Sequence, residues 1–75
     1  MSHPTQKYLR SLPGPELQAW VDTLPGGTMA RWDMLWQQYN GRTGFMESGP
    51  VFRYALQRAG MVAGTGPEKN HYLKP

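Results

Sequence analysis

The residues best suited to recognition chemistry lie in the last third of the chain, where Arg53 and Gln57 are four positions apart. On a helix that spacing puts the two side chains on one face. Arginine can take a guanine edge with two hydrogen bonds and glutamine an adenine edge, so the pair is suited to reading the major groove of DNA. Arg58 flanks the pair. The same face could instead contact a protein, because arginine is enriched in protein hot spots, or could simply face water.

Other basic residues surround this helix in the sequence. Arg42 precedes it, and Lys69, His71 and Lys74 follow it, where they could reach the phosphates of a duplex. A second basic group lies near the N-terminus, in a predicted flexible tail over residues 1–14 that either frays or orders when a partner binds. The candidate partner-binding residues are Lys7, Tyr8, Arg10, Arg42, Arg53, Gln57, Arg58, Lys69 and Lys74.

Catalytic chemistry has little support in the residue inventory. The two histidines, His3 and His71, lack a metal-ligating spacing such as i, i+4 on one helix, and the five acidic residues are scattered over helix starts and loops. The stretch Gly64-Thr65-Gly66-Pro67 is rich in glycine, but a strand is predicted after it, whereas phosphate-binding loops lead into a helix. We expect no enzymatic activity, no bound metal, no cofactor and no small-molecule substrate.

Size and composition set the remaining limits. The chain of 75 residues makes one small domain, and its net charge of +3 permits nucleic acid or an acidic protein surface as partner without choosing between them. The absence of cysteine excludes disulfides and thiolate metal sites and is compatible with a reducing cytoplasm. No apolar run approaches the ~20 residues that span a membrane, and none follows the N-terminus as in a signal peptide. We therefore expect a cytoplasmic protein with no membrane partner.

Two helices are predicted ahead of the basic one. The first runs from about Pro15 to Leu24, because proline suits the first helical position and apolar residues recur at helical intervals. Thr28 is the expected N-cap of the second, which reaches roughly Tyr39 and ends at Asn40-Gly41. Both apolar stripes should face the core. They are Leu17, Trp20, Val21 and Leu24 on the first helix and Trp32, Leu35, Trp36 and Tyr39 on the second.

The third helix is predicted over Pro50 to Ala59, with Gly60 as its C-terminal stop. Phe45 and Met46, in the connection before it, are expected to fill space between helices. A β-hairpin of strands 61–63 and 71–73 follows and must dock on the helices, because an isolated hairpin is marginal in water. The predicted fold class is mainly α (α+β), winged-helix-like: a single domain over residues 15–75 with three helices and a small C-terminal β-hairpin.

The third helix carries more apolar residues than one helical face can bury. Val51, Phe52, Tyr54, Ala55 and Leu56 cannot all point to the same side. Some aromatic surface should therefore stay exposed, which favours a protein partner.

Residues Thr28 to Leu73 resemble the winged helix-turn-helix family. They run from a helix through a connection to a second helix, which ends Leu56-Gln57-Arg58-Ala59-Gly60-Met61-Val62, and then to a glycine-rich tip and Tyr72-Leu73. The connection over 42–49 is longer than the usual turn of that family. The resemblance implies a binding module that contacts duplex DNA directly, through helix 50–59 and a wing over 61–74.

The sequence as a whole also resembles small regulators of bacterial RNA polymerase encoded by Xanthomonas phages. That resemblance depends on size, the lack of cysteine, mild basicity and the whole string rather than on a short motif. It implies a non-enzymatic protein in the bacterial host cytoplasm that binds the large subunits of RNA polymerase, inhibits initiation by interfering with the sigma factor and suppresses termination. RNA polymerase is the first expected partner, and duplex DNA is the alternative.

Overall fold

The computed structural model describes residues 6–43 and 48–75, with side chains described at all of these except 41–43. The chain alternates helices with short strands, and a single turn of 3-10 helix, Gly66–Glu68, lies between the last two strands. The helices are α1 (Gln6–Ser11), α2 (Gly14–Thr23), α3 (Trp32–Thr43) and α4 (Gly49–Arg58), and the strands are β1 (Met29–Arg31), β2 (Val62–Ala63) and β3 (His71–Leu73).

Helix α2 lies within one residue of its predicted bounds. Pro15 occupies its first turn, where a missing N–H costs no hydrogen bond, and Glu16 favours the positive end of the helix dipole. Its buried side chains are those of the predicted stripe, Leu17, Trp20 and Val21. The stripe therefore fixes which face of the helix meets the core.

The segment around Thr28 differs from the prediction. Thr28 is not an N-cap, because its hydroxyl donates to the carbonyl of Pro25 at 2.7 Å inside a turn. The next three residues form β1, and α3 begins only at Trp32 and continues past Asn40-Gly41 to Thr43. A three-residue strand is too short to show a recognisable periodicity. Its hydrogen-bonding partner, β3, lies some forty residues away in sequence, so the neighbouring residues do not reveal the pairing either.

Helix α4 ends as predicted at Gly60, through a Schellman motif. The N–H of Met61 donates to the carbonyl of Leu56 at 3.0 Å, and the N–H of Gly60 donates to that of Gln57 at 3.1 Å. Gly60 has a φ of 110°, a backbone conformation that side chains with a Cβ rarely adopt. Met61 and Leu56 are both buried in the core, and these are the two positions at which this motif usually carries apolar residues.

The predicted hairpin is confirmed, and β1 adds a third strand to it. Strand β3 is central, with β1 and β2 antiparallel on either side. Tyr72 of β3 lies opposite Ala30 of β1 and Ala63 of β2, and its side chain enters the core. A third strand supplies the docking that an isolated hairpin lacks.

A single hydrophobic core joins the helices to the sheet. Its aromatic centre links three helices: the rings of Trp20 and Tyr39 are 5.3 Å apart, and those of Tyr39 and Phe52 are 6.0 Å apart. Both spacings are within the range in which aromatic pairs attract. The buried residues are Leu12, Leu17, Trp20, Val21, Leu35, Tyr39, Val51, Phe52, Ala55, Leu56, Met61 and Tyr72.

The predicted tail is the main difference in domain organisation. Its described part, residues 6–14, contains α1 and contributes Leu12 to the core. Tyr8 and Leu9 of α1 pack against that core. Burial of these apolar side chains outweighs the interruptions by proline and glycine, and Gly14, at a φ of 68°, makes the turn into α2. Residues 1–5 lie outside the described part of the chain, as do Phe45 and Met46.

The fold class agrees with the prediction. The architecture is mainly α (α+β) and winged-helix-like: α2, β1, α3 and α4 precede the β2–β3 hairpin, and β1 pairs with the hairpin's last strand.

Candidate partner-binding surface

Arg58 and Arg10, one from each of the two basic groups predicted from sequence, lie on one surface. Nε of Arg58, on α4, donates to the carbonyl of Leu12 at 2.8 Å, and its Nη2 donates to the carbonyl of Arg10 at 3.4 Å. Both acceptors lie at the C-terminal end of α1, where helix carbonyls lack intrahelical partners and attract cations. Arg58 therefore holds α1 against α4. The adjoining exposed faces of these two helices form one surface, which we call the α1/α4 surface.

An exposed aromatic side chain lies within this surface. Tyr54 is 39% exposed, and the guanidinium carbon of Arg58 lies 5.7 Å from the centre of its ring, within cation–π range. Phe52, two residues earlier, is fully buried. The expectation that α4 would leave aromatic surface exposed is therefore confirmed, and Tyr54 is the residue concerned.

A cleft of about 340 Å³ opens between the two helices. Its lining includes an aliphatic side chain, an aromatic ring and a guanidinium group. Among the residues that the structure describes, those lining it are Gln6, Leu9, Arg10 and Tyr54.

Arg53 and Gln57 lie next to each other, but each is also used inside the domain. Arg53 Nε donates to the hydroxyl of Tyr72 at 3.3 Å, and Gln57 Nε2 donates to the same oxygen at 3.4 Å. The guanidinium of Arg53 also lies 5.5 Å from the ring centre of Trp32. Arg53 is half-buried while Gln57 is exposed, so the pair holds α4 against β3 and α3 and presents mainly Gln57 to solvent.

The three candidate lysines differ in position, and of these Lys7 belongs to a helix of the α1/α4 surface. Lys74 Nζ donates to the carbonyls of Val21 and Leu24, each at 2.9 Å, and so caps the C-terminal end of α2 instead of reaching outward. Lys69 is exposed in the loop between β2 and β3, and Lys7 is exposed on α1.

Two further candidates differ in how much of them is described. Tyr8 is half-buried against the core. The side chain of Arg42 lies outside the described residues, although its backbone belongs to α3.

The α1/α4 surface is positively charged by composition. Helices α1 and α4 together contain Lys7, Arg10, Arg53 and Arg58 and no acidic residue. The acidic residues of the other described elements lie on α2, on α3 and in the 3-10 turn. An anionic or acidic partner would therefore be attracted to this surface. The two helices present no negative charge that would repel it.

A second exposed feature lies on the outer face of the sheet. Met29, Leu73 and Val62 are opposite one another on successive strands and are 49%, 36% and 53% exposed. Side chains at such positions point to the same face, so they form an apolar row across the sheet. Sequence reasoning missed this row because β1 was not predicted, and without β1 Met29 has no place beside the hairpin.

Comparison of the sequence with protein-family models finds no match, and searches of curated proteins and of solved structures find none either. Over residues 6–43 and 48–75, no helix has both the length and the apolar character needed to cross a bilayer. In the same part of the chain, no three histidine, aspartate or glutamate side chains are grouped closely enough to hold a metal ion.

Proposed function

We propose that this protein is a non-enzymatic transcription regulator that binds the large subunits of bacterial RNA polymerase through its α1/α4 surface. Acting in the cytoplasm of a bacterial host, with a phage as its source, it inhibits initiation and suppresses termination. The overall resemblance to phage-encoded polymerase regulators supplies the partner. The observation that supports a protein contact is the attachment of α1 across α4 by Arg58.

That attachment matters because of the size of the major groove. The groove is roughly 12 Å wide, and a helix with its side chains is about 10–12 Å across, so a reading helix fills it alone. On α4 the outer surface near Tyr54 and Arg58 is shared with α1. A two-helix surface of this kind is better suited to a protein than to a groove.

The exposed apolar side chains also support a protein partner. Tyr54 on the α1/α4 surface and the row of Met29, Leu73 and Val62 on the sheet give the domain two apolar areas open to solvent. Apolar area of this kind is favourable in a protein interface and has no counterpart on the sugar-phosphate backbone of a duplex.

Direct duplex binding remains the second candidate. The winged-helix-like order of elements and the acid-free pair of helices favour it, with Gln57 and Arg53 reading bases and Lys69 on the wing contacting phosphate. If Lys7, Arg10, Arg58 and Lys69 each neutralise one phosphate, DNA affinity should fall on the order of a hundredfold between about 50 and 200 mM salt. Gln57→Ala would then change sequence preference, and Lys69→Gln would weaken all sequences alike.

The deciding experiment measures both partners with the same protein. Purified RNA polymerase from a Xanthomonas host, as core enzyme and as holoenzyme, and a promoter duplex are titrated separately at physiological salt. We expect a stoichiometric complex with polymerase, no measurable binding to the duplex, less initiation at a promoter and more read-through at a terminator. Duplex binding with the steep salt dependence above, and no polymerase complex, would reject the proposal in favour of the second candidate.

A matched pair of variants connects the result to the surface. Arg10→Gln and Arg31→Gln each remove one exposed positive charge, but only Arg10 lies on the α1/α4 surface. Arg31 is on β1, in an exposed ion pair with Asp33. We expect Arg10→Gln to weaken the polymerase complex and Arg31→Gln to leave it unchanged. Equal weakening would mean that only net charge matters.

A further inference from the structure

The cleft between α1 and α4 is large enough to admit a bulky side chain. Its volume of about 340 Å³ is at the lower end of the range for ligand pockets, which runs from about 300 to 1,000 Å³. A groove for a partner helix would need several anchor positions along its length. The described lining offers one apolar wall and one ring, so it suits a single inserted side chain better than the row of anchors on a helix.

The lining favours an aromatic occupant. Leu9 supplies an aliphatic wall, Tyr54 a ring that can stack or meet another ring edge-on, and Arg10 a planar cation that can lie over a ring face. Leu9 is already half-buried against the core, so a ring beside it would cover apolar surface that is now in water.

The rim favours carboxylates next to that ring. Arg10 uses only Nε in its hydrogen bond to the carbonyl of Gln6, at 3.4 Å, which leaves the two terminal amino groups for an incoming carboxylate. Arg58, beside Tyr54, adds a second positive charge, and neither helix carries an acidic residue. Acidic residues flanking the inserted side chain would complement this rim.

A nucleic acid fits the cleft less well. Single strands bind where successive bases stack on a row of aromatic side chains. Among the described residues that line the cleft, Tyr54 is the only aromatic. One base could stack here, but its neighbours would find no platform.

We infer that the α1/α4 cleft binds one aromatic side chain from an acidic segment of the partner polypeptide, with Arg10 and Arg58 pairing the flanking carboxylates. The inference rests on the proposed function, because the segment belongs to an RNA polymerase subunit. Beyond the proposed function, the recognised segment is aromatic and acidic, and Leu9 and Tyr54 form the walls of the pocket that receives it.

A peptide titration tests the cleft without polymerase. The ¹⁵N-labelled full chain is titrated with three blocked peptides: Asp-Glu-Phe-Glu-Asp, the same peptide with alanine for phenylalanine, and Lys-Lys-Phe-Lys-Lys. We expect the first alone to shift the amide signals of residues 6–10 and 54. An oligothymidine of matched charge is the fourth probe. Equal shifts from all four probes, stronger shifts from the oligothymidine, or no shift near the cleft would each overturn the inference.

Two variants test the cleft within the polymerase complex. We expect Tyr54→Ala and Arg10→Gln each to weaken binding by about tenfold, the effect of losing one interface hot-spot contact. Met34→Ala, which truncates a 53%-exposed side chain on α3, and Arg31→Gln are the matched controls and should bind normally. If Tyr54→Ala folds poorly, Arg10→Gln alone tests the cleft. We expect its thermal unfolding to match that of the unchanged protein.

The outcomes separate the two proposals. If no polymerase complex forms, the proposed function fails and this inference fails with it. If the complex forms but both cleft variants bind as tightly as the controls, the inference alone is overturned. Weakening by the cleft variants, together with a selective shift from the acidic aromatic peptide, supports both.

Discussion

Arg58 and Leu12 are 46 residues apart in sequence, yet Nε of the arginine donates to the leucine carbonyl at 2.8 Å. Leu12 is also part of the core, so the same residue anchors its segment by an apolar side chain and by a charge-assisted hydrogen bond. This pair of interactions turns the N-terminal segment into part of the domain and brings Arg10 next to α4.

Replacing Arg58 tests how strongly α1 is held. Arg58→Ala removes the hydrogen bonds to α1 and the cation–π contact with Tyr54, and we expect a loss of about 1–2 kcal/mol in the free energy of unfolding. Amide hydrogen exchange should accelerate in α1 far more than in α2 or α3, because both carbonyls that Arg58 binds lie at the C-terminal end of α1. Arg31→Ala is the control, since its exposed ion pair with Asp33 contributes at most about 1 kcal/mol. Protection of α1 that is unchanged by Arg58→Ala would contradict the assigned contact.

Lys74 should matter for stability more than for binding. Lys74→Met keeps much of the aliphatic chain but removes the ammonium that donates to Val21 and Leu24 at the end of α2. We expect destabilisation by about 1–2 kcal/mol, measured by urea unfolding, because charged hydrogen bonds and the helix dipole both contribute. Lys69→Met, at an exposed position, should stay within about 0.5 kcal/mol of the unchanged protein. Equal effects of the two variants would contradict the capping role.

Gly64 is required by the close approach of the loop backbone. A Cβ at this position would overlap the carbonyl oxygen of Glu68, in the 3-10 turn. We expect Gly64→Ala to cost about 1–3 kcal/mol, because the loop backbone must move to make room. At Gly26 an added Cβ would lie 3.4 Å from the carbonyl oxygen of Pro75, an ordinary contact, so Gly26→Ala is the matched control. Thermal unfolding of both variants checks the difference, and a stable Gly64→Ala would refute it.

The hydroxyl of Tyr72 should contribute more to the free energy of unfolding than the hydroxyl of Tyr54. Tyr72→Phe leaves the buried ring in place but removes the acceptor shared by Arg53 and Gln57. We expect a loss of about 0.5–1.5 kcal/mol by urea unfolding, the usual net contribution of such hydrogen bonds. Tyr54→Phe removes the hydroxyl of a tyrosine that is 39% exposed and should change stability by less than about 0.5 kcal/mol. Similar values for the two variants would show that Arg53 and Gln57 find other partners at no cost.

Local patterns were sufficient for α2 and for the end of α4. The apolar stripe of α2 and the glycine at the end of α4 each act within one or two turns of backbone, so the neighbouring residues alone predict them. The hairpin was predictable for the same reason, because its two strands are close in sequence and separated by glycine-rich residues. The end of α3 was not predictable in this way. The helix continues through Asn40-Gly41 to Thr43, so its wider context overrides the local preference of these two residues for a turn.

The local sequence predicts α2, most of α3, α4, the hairpin and the excess of apolar residues on α4, but not α1. The tertiary structure sets which charged side chains are available to a partner, because Lys74 and Arg53 find carbonyl and hydroxyl partners far away in the chain. It likewise decided that β1 completes the sheet and that α1 joins α4. These are contacts between residues some 20 to 50 positions apart, which form only when burial of a shared core offsets the entropy of closing long loops.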